Sequence, residues 1–409
     1  MVREHERSGT DVVDGLRGFA VLWVLCYHTW LFSWYTPAAK VFGVDLPVDV
    51  LPRVGYLGVD LFFVISGFCL FAPYASEAVA RRYSAPGAGF ALRRAAKIVP
   101  SYALALAATA LVALANGQVR PDPGLARSLV AHATFLNNFY IDPFGYTNSV
   151  FWSLAVEVQF YLAFPLAARS FAHRPFATAL GFFALAAGYR IVFAGCCLQD
   201  EVVMRQLPAY LDLFAAGMGA AYLVAAARHA DARRAPHPAV WTFAFAAAAL
   251  FVWRVATGAS DVTYVPDGRE RFDIYGRTML ALGFGGLIVA GCNAARPLHR
   301  LVANPPLRFL SVVSYNLYLW HTLVMIWLWK HDVPRAATSD PHADDRWKGP
   351  YIALGWSVSL AIATGVTYFI ERPLLATIKP QRFAFDWRRV ARSASARRTR
   401  RIVSRGTRT

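Results

Sequence analysis

The chain has 409 residues, of which 56% are hydrophobic and only 16% are charged. A water-soluble protein usually has about a quarter of charged residues, so this composition excludes an ordinary soluble enzyme. The net charge of +17 could suit nucleic acid, but the basic residues lie between apolar runs and in the last 28 residues. That distribution is typical of a membrane protein, and we expect no nucleic-acid partner.

Ten apolar runs are each long enough to cross a hydrocarbon core of about 30 Å as a helix. The predicted fold is therefore all-α, a polytopic integral membrane helical bundle of about ten transmembrane helices. The predicted spans are 12–34, 56–75, 98–116, 150–168, 175–196, 207–227, 239–257, 276–294, 309–330 and 350–371. A further apolar stretch at 126–139 is interrupted by polar residues and is predicted to be interfacial or re-entrant.

The loops between the spans predict the orientation, because basic residues are retained on the cytoplasmic side. Loops on the N-terminal side are rich in arginine, whereas the opposite loops carry more acidic than basic residues. Both termini are thus predicted to be cytoplasmic. Residues 1–378 would form the transmembrane domain, and the arginine-rich residues 379–409 would form a disordered cytoplasmic tail.

The first predicted span carries two polar residues on one face. Arg17 and His28 are eleven residues apart, so on a helix they point within about 20° of each other and lie roughly 16 Å apart along the axis. Asp14 can pair with Arg17, but it lies about 21 Å below His28, which excludes an Asp14–His28 dyad. The span is too long and too polar for a cleaved signal peptide. The alternative interpretation is an interfacial arginine and a histidine bonded to a neighbouring helix.

Three cations precede the third predicted span. Arg93, Arg94 and Lys97 stand at its predicted cytoplasmic end, where they suit an anionic ligand that bears phosphates. The usual excess of positive charge on the inner side explains the cluster equally well.

Polar residues also mark the fourth and ninth spans. Glu157 lies inside an apolar run, and Ser153 is one helical turn away on the same face. In the ninth span, Tyr318 and His321 belong to a polar stripe that must face protein rather than lipid. Each such group is costly within hydrocarbon, which favours a role in a site over chance, although hydrogen-bonded packing is the alternative. Glu371, at the end of the last span, is interpreted as part of a structural clamp.

Six sequence motifs together resemble the membrane-bound acyltransferase 3 family, which includes polysaccharide O-acetylases and macrolide acyltransferases. They are DGLRGFAVLWVLCYH, GVDLFFVISGF, RRAAKIVPSY, WSLAVEVQFYL, SYNLYLWH and IERP, in that order, and the resemblance covers residues 12–373. The signature arginine and histidine of the family correspond to Arg17 and His28, and its paired basic motif to Arg94 and Lys97. Its first glutamate corresponds to Glu157. Many relatives have an additional periplasmic hydrolase-like domain, which we expect this chain to lack.

The resemblance implies an O-acyltransferase of the bacterial inner membrane. Its co-substrate would be cytoplasmic acyl-CoA, with acetyl-CoA favoured, bound by the cations Arg17, Arg93, Arg94 and Lys97. We expect no permanently bound cofactor and no metal, and we interpret the five cysteines as packing residues. The acceptor would be a hydroxyl of a glycan, a lipid-linked sugar or a related molecule.

Catalysis is assigned as a hypothesis to His28, as general base or as a covalent nucleophile, and to Glu157, which would orient His28 or bind the acceptor. Asp14, Ser153, Tyr318 and His321 are candidates for acceptor binding or structural support. Two other classes of function are compatible with buried polar residues in a membrane. One is a transporter or flippase of an anionic or sugar substrate, and the other is a scaffold that acts through its basic tail.

Overall fold

The computed structural model describes residues 2–37, 39–41, 44–46, 48–87, 89–140, 144, 147–194, 201–230, 236–262, 268–338 and 340–377. The predicted tail and two of the five cysteines, Cys196 and Cys197, lie outside these residues. The other three, Cys26, Cys69 and Cys292, are free thiols.

Sixteen helices account for most of the described residues. In chain order they are α1 (Val2–Ser33), α2 (Val50–Arg53), α3 (Leu57–Val79), α4 (Gly89–Ala115), α5 (Pro123–Ala133), α6 (Phe151–His173), α7 (Pro175–Ala194), α8 (Glu201–Met204), α9 (Leu211–His229), α10 (Pro238–Val262), α11 (Gly268–Arg271), α12 (Arg277–Asn293), α13 (Arg296–Val302), α14 (Pro305–Lys330), α15 (Lys348–Val366) and α16 (Arg372–Thr377). Two short strands, β1 (Ala39–Val41) and β2 (Val44–Leu46), pair antiparallel. The prediction of an all-α membrane bundle is confirmed.

Nine of the ten predicted spans coincide with helices that are long and apolar enough to cross a membrane, within the described part of the chain. The first predicted span lies in α1, which has 32 residues but falls outside the nine. Its polar side chains, among them Arg17 and His28, make it less apolar than a typical span. The stretch predicted to be interfacial, 126–139, overlaps α5, whose 11 residues are too few to cross a bilayer.

The helix of the last span does not stop before Pro373, although proline usually breaks the interior of a helix. A π-helical turn, Thr367–Glu371, follows α15, and the chain continues directly as α16. The π turn, in which the α-helical hydrogen-bond pattern is already changed, lies directly before Arg372 and Pro373. The helical segment therefore reaches Thr377.

Helices α3 and α14 lie at the centre of the bundle, since 72% of the most apolar stretch of each is buried. Helices α7 and α10 lie at the periphery, with 17% and 11% of that stretch buried. Glycines let backbones approach closely at the centre. A Cβ on Gly67 would come within 2.2 Å of the carbonyl oxygen of Phe214 on α9, and one on Gly217 within 1.9 Å of that of Val64. The contact of α3 with α9 therefore excludes any larger residue.

Candidate active site

A cavity of about 160 Å³ opens among α1, α3, α4, α6 and α14. Its lining brings together most of the residues that the sequence singled out. They are Arg17, Arg94, Lys97, Ser153, Glu157 and Tyr318. These six side chains come from four helices, α1, α4, α6 and α14, and α3 supplies further lining residues such as Ser66. We call this space the inner cavity, and it is the centre of the candidate site.

The cations of the inner cavity come from α1 and α4. Arg17 donates a hydrogen bond to Sγ of Cys69 at 3.3 Å, so it faces the cavity and forms no ion pair with the exposed Asp14. The guanidinium of Arg94 lies over the ring of Tyr161, 5.3 Å from its centroid. Four residues expected at the site lie outside the cavity lining: Asp14, Arg93, which neighbours Arg94 on α4, and the two histidines His28 and His321.

Lys97 is held at the mouth of the inner cavity by Glu371. The two side chains form an ion pair, and the second carboxylate oxygen of Glu371 accepts a hydrogen bond from Nδ2 of Asn316 at 2.9 Å. The contacts join α4 and α14 to the end of the last span. Glu371 therefore forms the clamp that the sequence suggested.

Glu157 is bonded within the inner cavity and not to His28. Its Oε1 accepts a hydrogen bond from Oγ of Ser66 at 2.7 Å and another from the hydroxyl of Tyr161. The orienting contact of Glu157 with His28 that we considered from sequence is therefore not formed in this structure. The sequence did not identify Ser66 as a partner because it lies on a different helix, α3. Tyr161 lies one turn along the same helix, where the spacing allows the contact but does not establish it.

Ser153 and Tyr318 meet across the inner cavity. Their hydroxyl oxygens are 2.7 Å apart, and Oγ of Ser153 also donates to the carbonyl of Val150 at 3.0 Å. Since that carbonyl only accepts, the hydroxyl proton of Ser153 is directed to it. Oγ of Ser153 can then accept a hydrogen bond from the hydroxyl of Tyr318. The pair links α6 to α14 next to Glu157.

His28 and His321 form a buried imidazole pair between α1 and α14. Nδ1 of His28 lies 3.1 Å from Nε2 of His321, and the ring planes are inclined at 73°. The two residues are 7% and 1% exposed, so neither ring faces lipid. His321, considered from sequence as acceptor-side support, is the side chain that orients His28.

Hydrogen bonds to the backbone assign the tautomers of this pair when both rings are neutral. Nδ1 of His28 lies 3.0 Å from the carbonyl oxygen of Val24, and Nδ1 of His321 lies 2.9 Å from that of Leu317. A carbonyl only accepts, so the tautomer with a proton on each Nδ1 satisfies these contacts, and the single Nδ1–H of His28 is then shared between the Val24 carbonyl oxygen and Nε2 of His321. Nε2 of His28 is then the ring nitrogen with an available lone pair.

The imidazole pair adjoins the inner cavity through one tyrosine. His28 is not in the cavity lining, but the ring of Tyr318 is, and its centroid lies 5.9 Å from that of His321. On its other side, His28 stacks against Phe32 with ring centroids 6.3 Å apart. Tyr318, His321, His28 and Phe32 therefore form a continuous series of rings, which we call the ring series.

A buried charge network lies beside the site, and the sequence did not predict any of its ion pairs. Arg277 donates to both carboxylate oxygens of Asp60, at 2.7 and 3.0 Å, and to Asp273 at 2.9 Å. Arg190 forms an ion pair with Asp212 and donates to the carbonyl of Asp273 at 3.1 Å. The network joins α3, α7, α9 and α12. Arg190 and Asp212 are each a single charged residue within an apolar run, and this was the feature of the sequence that could have indicated a buried ion pair.

Comparison with known proteins gives one family and several relatives. The family described as "Acyltransferase domain" matches residues 11–371. The peptidoglycan O-acetyltransferase YrhL of Bacillus subtilis is 27% identical over 77% of this chain and 48% of its own length. The O-acetyltransferase OatA of Staphylococcus aureus is 29% identical over 40% of this chain and 25% of its own length.

A smaller relative is covered more fully. The acetyltransferase ORF330 of Acidianus two-tailed virus is 26% identical over 76% of this chain and 81% of its own length. The chain spans about half of the length of YrhL and a quarter of that of OatA, and no solved structure shows significant similarity. Because the family match extends over nearly the whole chain, from the start of the first span to Glu371, this protein belongs to the acyltransferase domain family, the membrane-bound acyltransferases that its six motifs resemble.

Proposed function

We propose that the protein transfers an acyl group, acetyl in the first instance, from cytoplasmic acyl-CoA to a hydroxyl of a glycan at the bacterial inner membrane. The family supplies the class of reaction, and the names of the relatives support O-acetylation and a peptidoglycan-type acceptor. The observation that carries the proposal is the inner cavity, in which three cations stand one tyrosine away from a buried imidazole pair.

The donor is assigned to the cationic end of the inner cavity. Arg17, Arg94 and Lys97 would bind the phosphates of CoA, because charge-assisted hydrogen bonds to phosphate are strong. Acyl-CoA is a co-substrate in this proposal, and no permanently bound cofactor is required. The rise of roughly 16 Å from Arg17 to His28 along α1 gives the pantetheine arm a path of suitable length. The cytoplasmic side follows from the arginine-rich loops at this end of the bundle.

The chemistry is assigned to Nε2 of His28. This atom takes the proton of the acceptor hydroxyl while the hydroxyl oxygen attacks the thioester carbonyl carbon. The C–S bond then breaks, and the CoA thiolate leaves and receives the proton from the imidazolium. His321 holds the ring in the required tautomer, as the orienting partner of a catalytic histidine does. Alternatively, Nε2 attacks the thioester carbonyl carbon, the C–S bond breaks and the CoA thiolate leaves. The acceptor oxygen then attacks the acyl-histidine, the C–N bond breaks to release the imidazole, and the hydroxyl proton passes to the thiolate.

Glu157 stays in the proposal as a positioning residue of the inner cavity. Its carboxylate would hold the cationic wall through Tyr161, which lies under Arg94. The acceptor contact considered from sequence does not fit this placement, because Glu157 lines the cavity assigned to the donor. Ser153 and Tyr318 would guide the thioester towards His28. Asp14 would have only a structural role, at the exposed end of α1.

The first prediction concerns His28. In membranes that contain H28A, we expect acyl transfer to fall by about 10²- to 10⁴-fold, because positioned proton transfer contributes that much. The measurement is transfer of labelled acetyl from acetyl-CoA to membrane glycan. His299→Ala is the matched control, since His299 is equally buried at 7% and its Nε2 contacts a backbone carbonyl outside the site. Full activity of a normally expressed H28A protein would remove His28 from the catalytic role.

A further inference from the structure

A second cavity lies at the C-terminal ends of α1 and α14, beyond the imidazole pair. Its volume is about 400 Å³, within the range of roughly 300–1,000 Å³ that is usual for ligand sites. Three tryptophans line it, Trp34, Trp329 and Trp347, together with Lys330 and Asp332. Aromatic walls with a few charged groups are typical of a specific binding site rather than of simple packing.

The walls of this outer cavity are held by hydrogen bonds of the loop between α14 and α15. Nε1 of Trp347 donates to the carbonyl of Pro341 at 2.8 Å, and the carboxylate of Asp344 accepts from backbone N–H groups of Arg346 at 3.0 Å and Ala337 at 2.7 Å. These two hydrogen bonds lower the pKa of Asp344 and keep it ionised. These hydrogen bonds therefore fix the loop that carries part of the cavity wall.

The ring series ends at this cavity. Phe32, which stacks on His28, also contacts the ring of Trp329 with centroids 6.2 Å apart. Trp329 is 42% exposed and is thus the lining tryptophan with an open face, whereas Trp347 is 6% exposed and Trp34 is covered by His342 at a ring separation of 3.4 Å. The imidazole pair accordingly stands between the inner cavity and an aromatic platform.

We propose that the outer cavity is a glycan subsite in which a pyranose ring of an N-acetylated sugar chain stacks on Trp329. The C–H groups on one face of a pyranose are weakly positive and fit the negative face of an indole ring, while Lys330 and Asp332 can bond to hydroxyls. The inference rests on the proposed function for the identity of the acceptor.

The position of Trp329 implies that the sugar unit stacked on it is not the unit that is acylated, but a neighbour of that unit in the glycan chain. Trp329 lies eight residues beyond His321 on α14, a rise of about 12 Å, which is too far for a ring on the platform to reach Nε2 of His28. The next sugar unit along the chain would present its hydroxyl there. The acceptor is therefore an oligomeric or polymeric glycan, and a monosaccharide is bound and acylated poorly.

The test is calorimetric binding of chitotetraose, a soluble N-acetylglucosamine oligomer, to the full-length protein in detergent. We expect Trp329→Leu to weaken binding about tenfold or more, as the loss of one aromatic contact predicts, and Trp329→Phe to keep most of it. Trp327→Leu is the matched control, because Trp327 is on the same helix and equally exposed at 42% but does not line the cavity. Binding of CoA to each variant verifies that it is folded.

The outcomes separate this inference from the proposed function. Equal affinities of the Trp329→Leu and Trp327→Leu proteins would show that Trp329 is only an interfacial anchor and would overturn the subsite. A wild-type protein that binds CoA but not chitotetraose would overturn it as well. Binding of chitotetraose through Trp329 without any binding of CoA would support the glycan subsite and overturn the donor assignment instead.

Discussion

At the scale of single residues, the neighbours of an ionisable group decide which atom can react. His28 and His321 are the same residue type at similar burial, yet they differ in how many of their ring nitrogens have a hydrogen-bond contact. His28 directs Nδ1 to a carbonyl and to its partner, while both nitrogens of His321 are within hydrogen-bond distance of other groups. Nε2 of His28 is therefore the nitrogen that the proposed chemistry uses.

The same reasoning applies to the cations of α4, where two adjacent arginines have different surroundings. Arg94→Ala should weaken CoA binding by about ten- to hundredfold, because a lost hydrogen bond to a charged group costs about 1.5–3 kcal/mol. Arg93 is adjacent in sequence but does not line the cavity, so Arg93→Ala should leave the affinity for CoA nearly unchanged. The measurement is the rise in melting temperature of the detergent-purified protein on addition of CoA.

Two results would contradict the donor assignment. Equal losses in both variants would mean that the arginines act only as a diffuse inside-positive flank. A wild-type protein that CoA does not stabilise would favour the transporter alternative, since a carrier of sugars has no reason to bind CoA.

At the scale of helices, the bundle depends on backbone contacts that leave no room for a methyl group. Helices α3 and α9 touch at Gly67 and Gly217, and α1 meets the segment before α3 in the same way. A Cβ on Gly55 would lie 2.2 Å from the carbonyl oxygen of Trp23. These contacts fix the separation of α1 from α3, and thereby the width of the inner cavity between them.

Gly217→Ala should therefore destabilise the protein by about 1–3 kcal/mol, the usual cost of overpacking a filled core. Thermal unfolding in detergent measures the change. Gly181→Ala on α7 is the control, because a Cβ there meets nothing within 4 Å and alanine has the higher helix propensity. A Gly217→Ala protein as stable as the control would mean that α9 can move away from α3 without cost.

The sequence predicted helices well and contacts between helices poorly, for a physical reason. A run of about 20 apolar residues is a local signal, so the spans could be found without knowledge of their neighbours. The contact between His28 and His321 joins residues 293 positions apart, and spacing along one helix carries no information on which helix faces it. Lys97 was assigned to the donor from its charge, but its pairing with Glu371 became visible only in the structure.

At the scale of the whole molecule, the two cavities lie towards opposite ends of the bundle. The inner cavity lies near the arginine-rich loops, and the outer cavity lies at the other ends of α1 and α14. Donor and acceptor would then approach from opposite sides of the membrane and meet at the imidazole pair. This arrangement requires the topology with both termini in the cytoplasm.

Labelling of single cysteines tests that topology. In a protein whose native cysteines are replaced by alanine, Ala337→Cys lies in the exposed loop beside the outer cavity and Ala85→Cys in the exposed loop between α3 and α4. An impermeant maleimide should label the first in intact spheroplasts and the second only after permeabilisation. The reverse pattern would invert the bundle and contradict a cytoplasmic donor.

The ring series has a consequence for the energy supply of the cell. Aromatic and imidazole side chains lie between the two cavities, from Tyr318 to Phe32 and Trp329, with successive ring centroids 4.8 to 6.3 Å apart. A wide aqueous pore through the same place would let protons flow back across the bilayer and dissipate the gradient that drives ATP synthesis. A barrier of packed rings would instead let a two-carbon unit be handed across while the membrane stays electrically sealed.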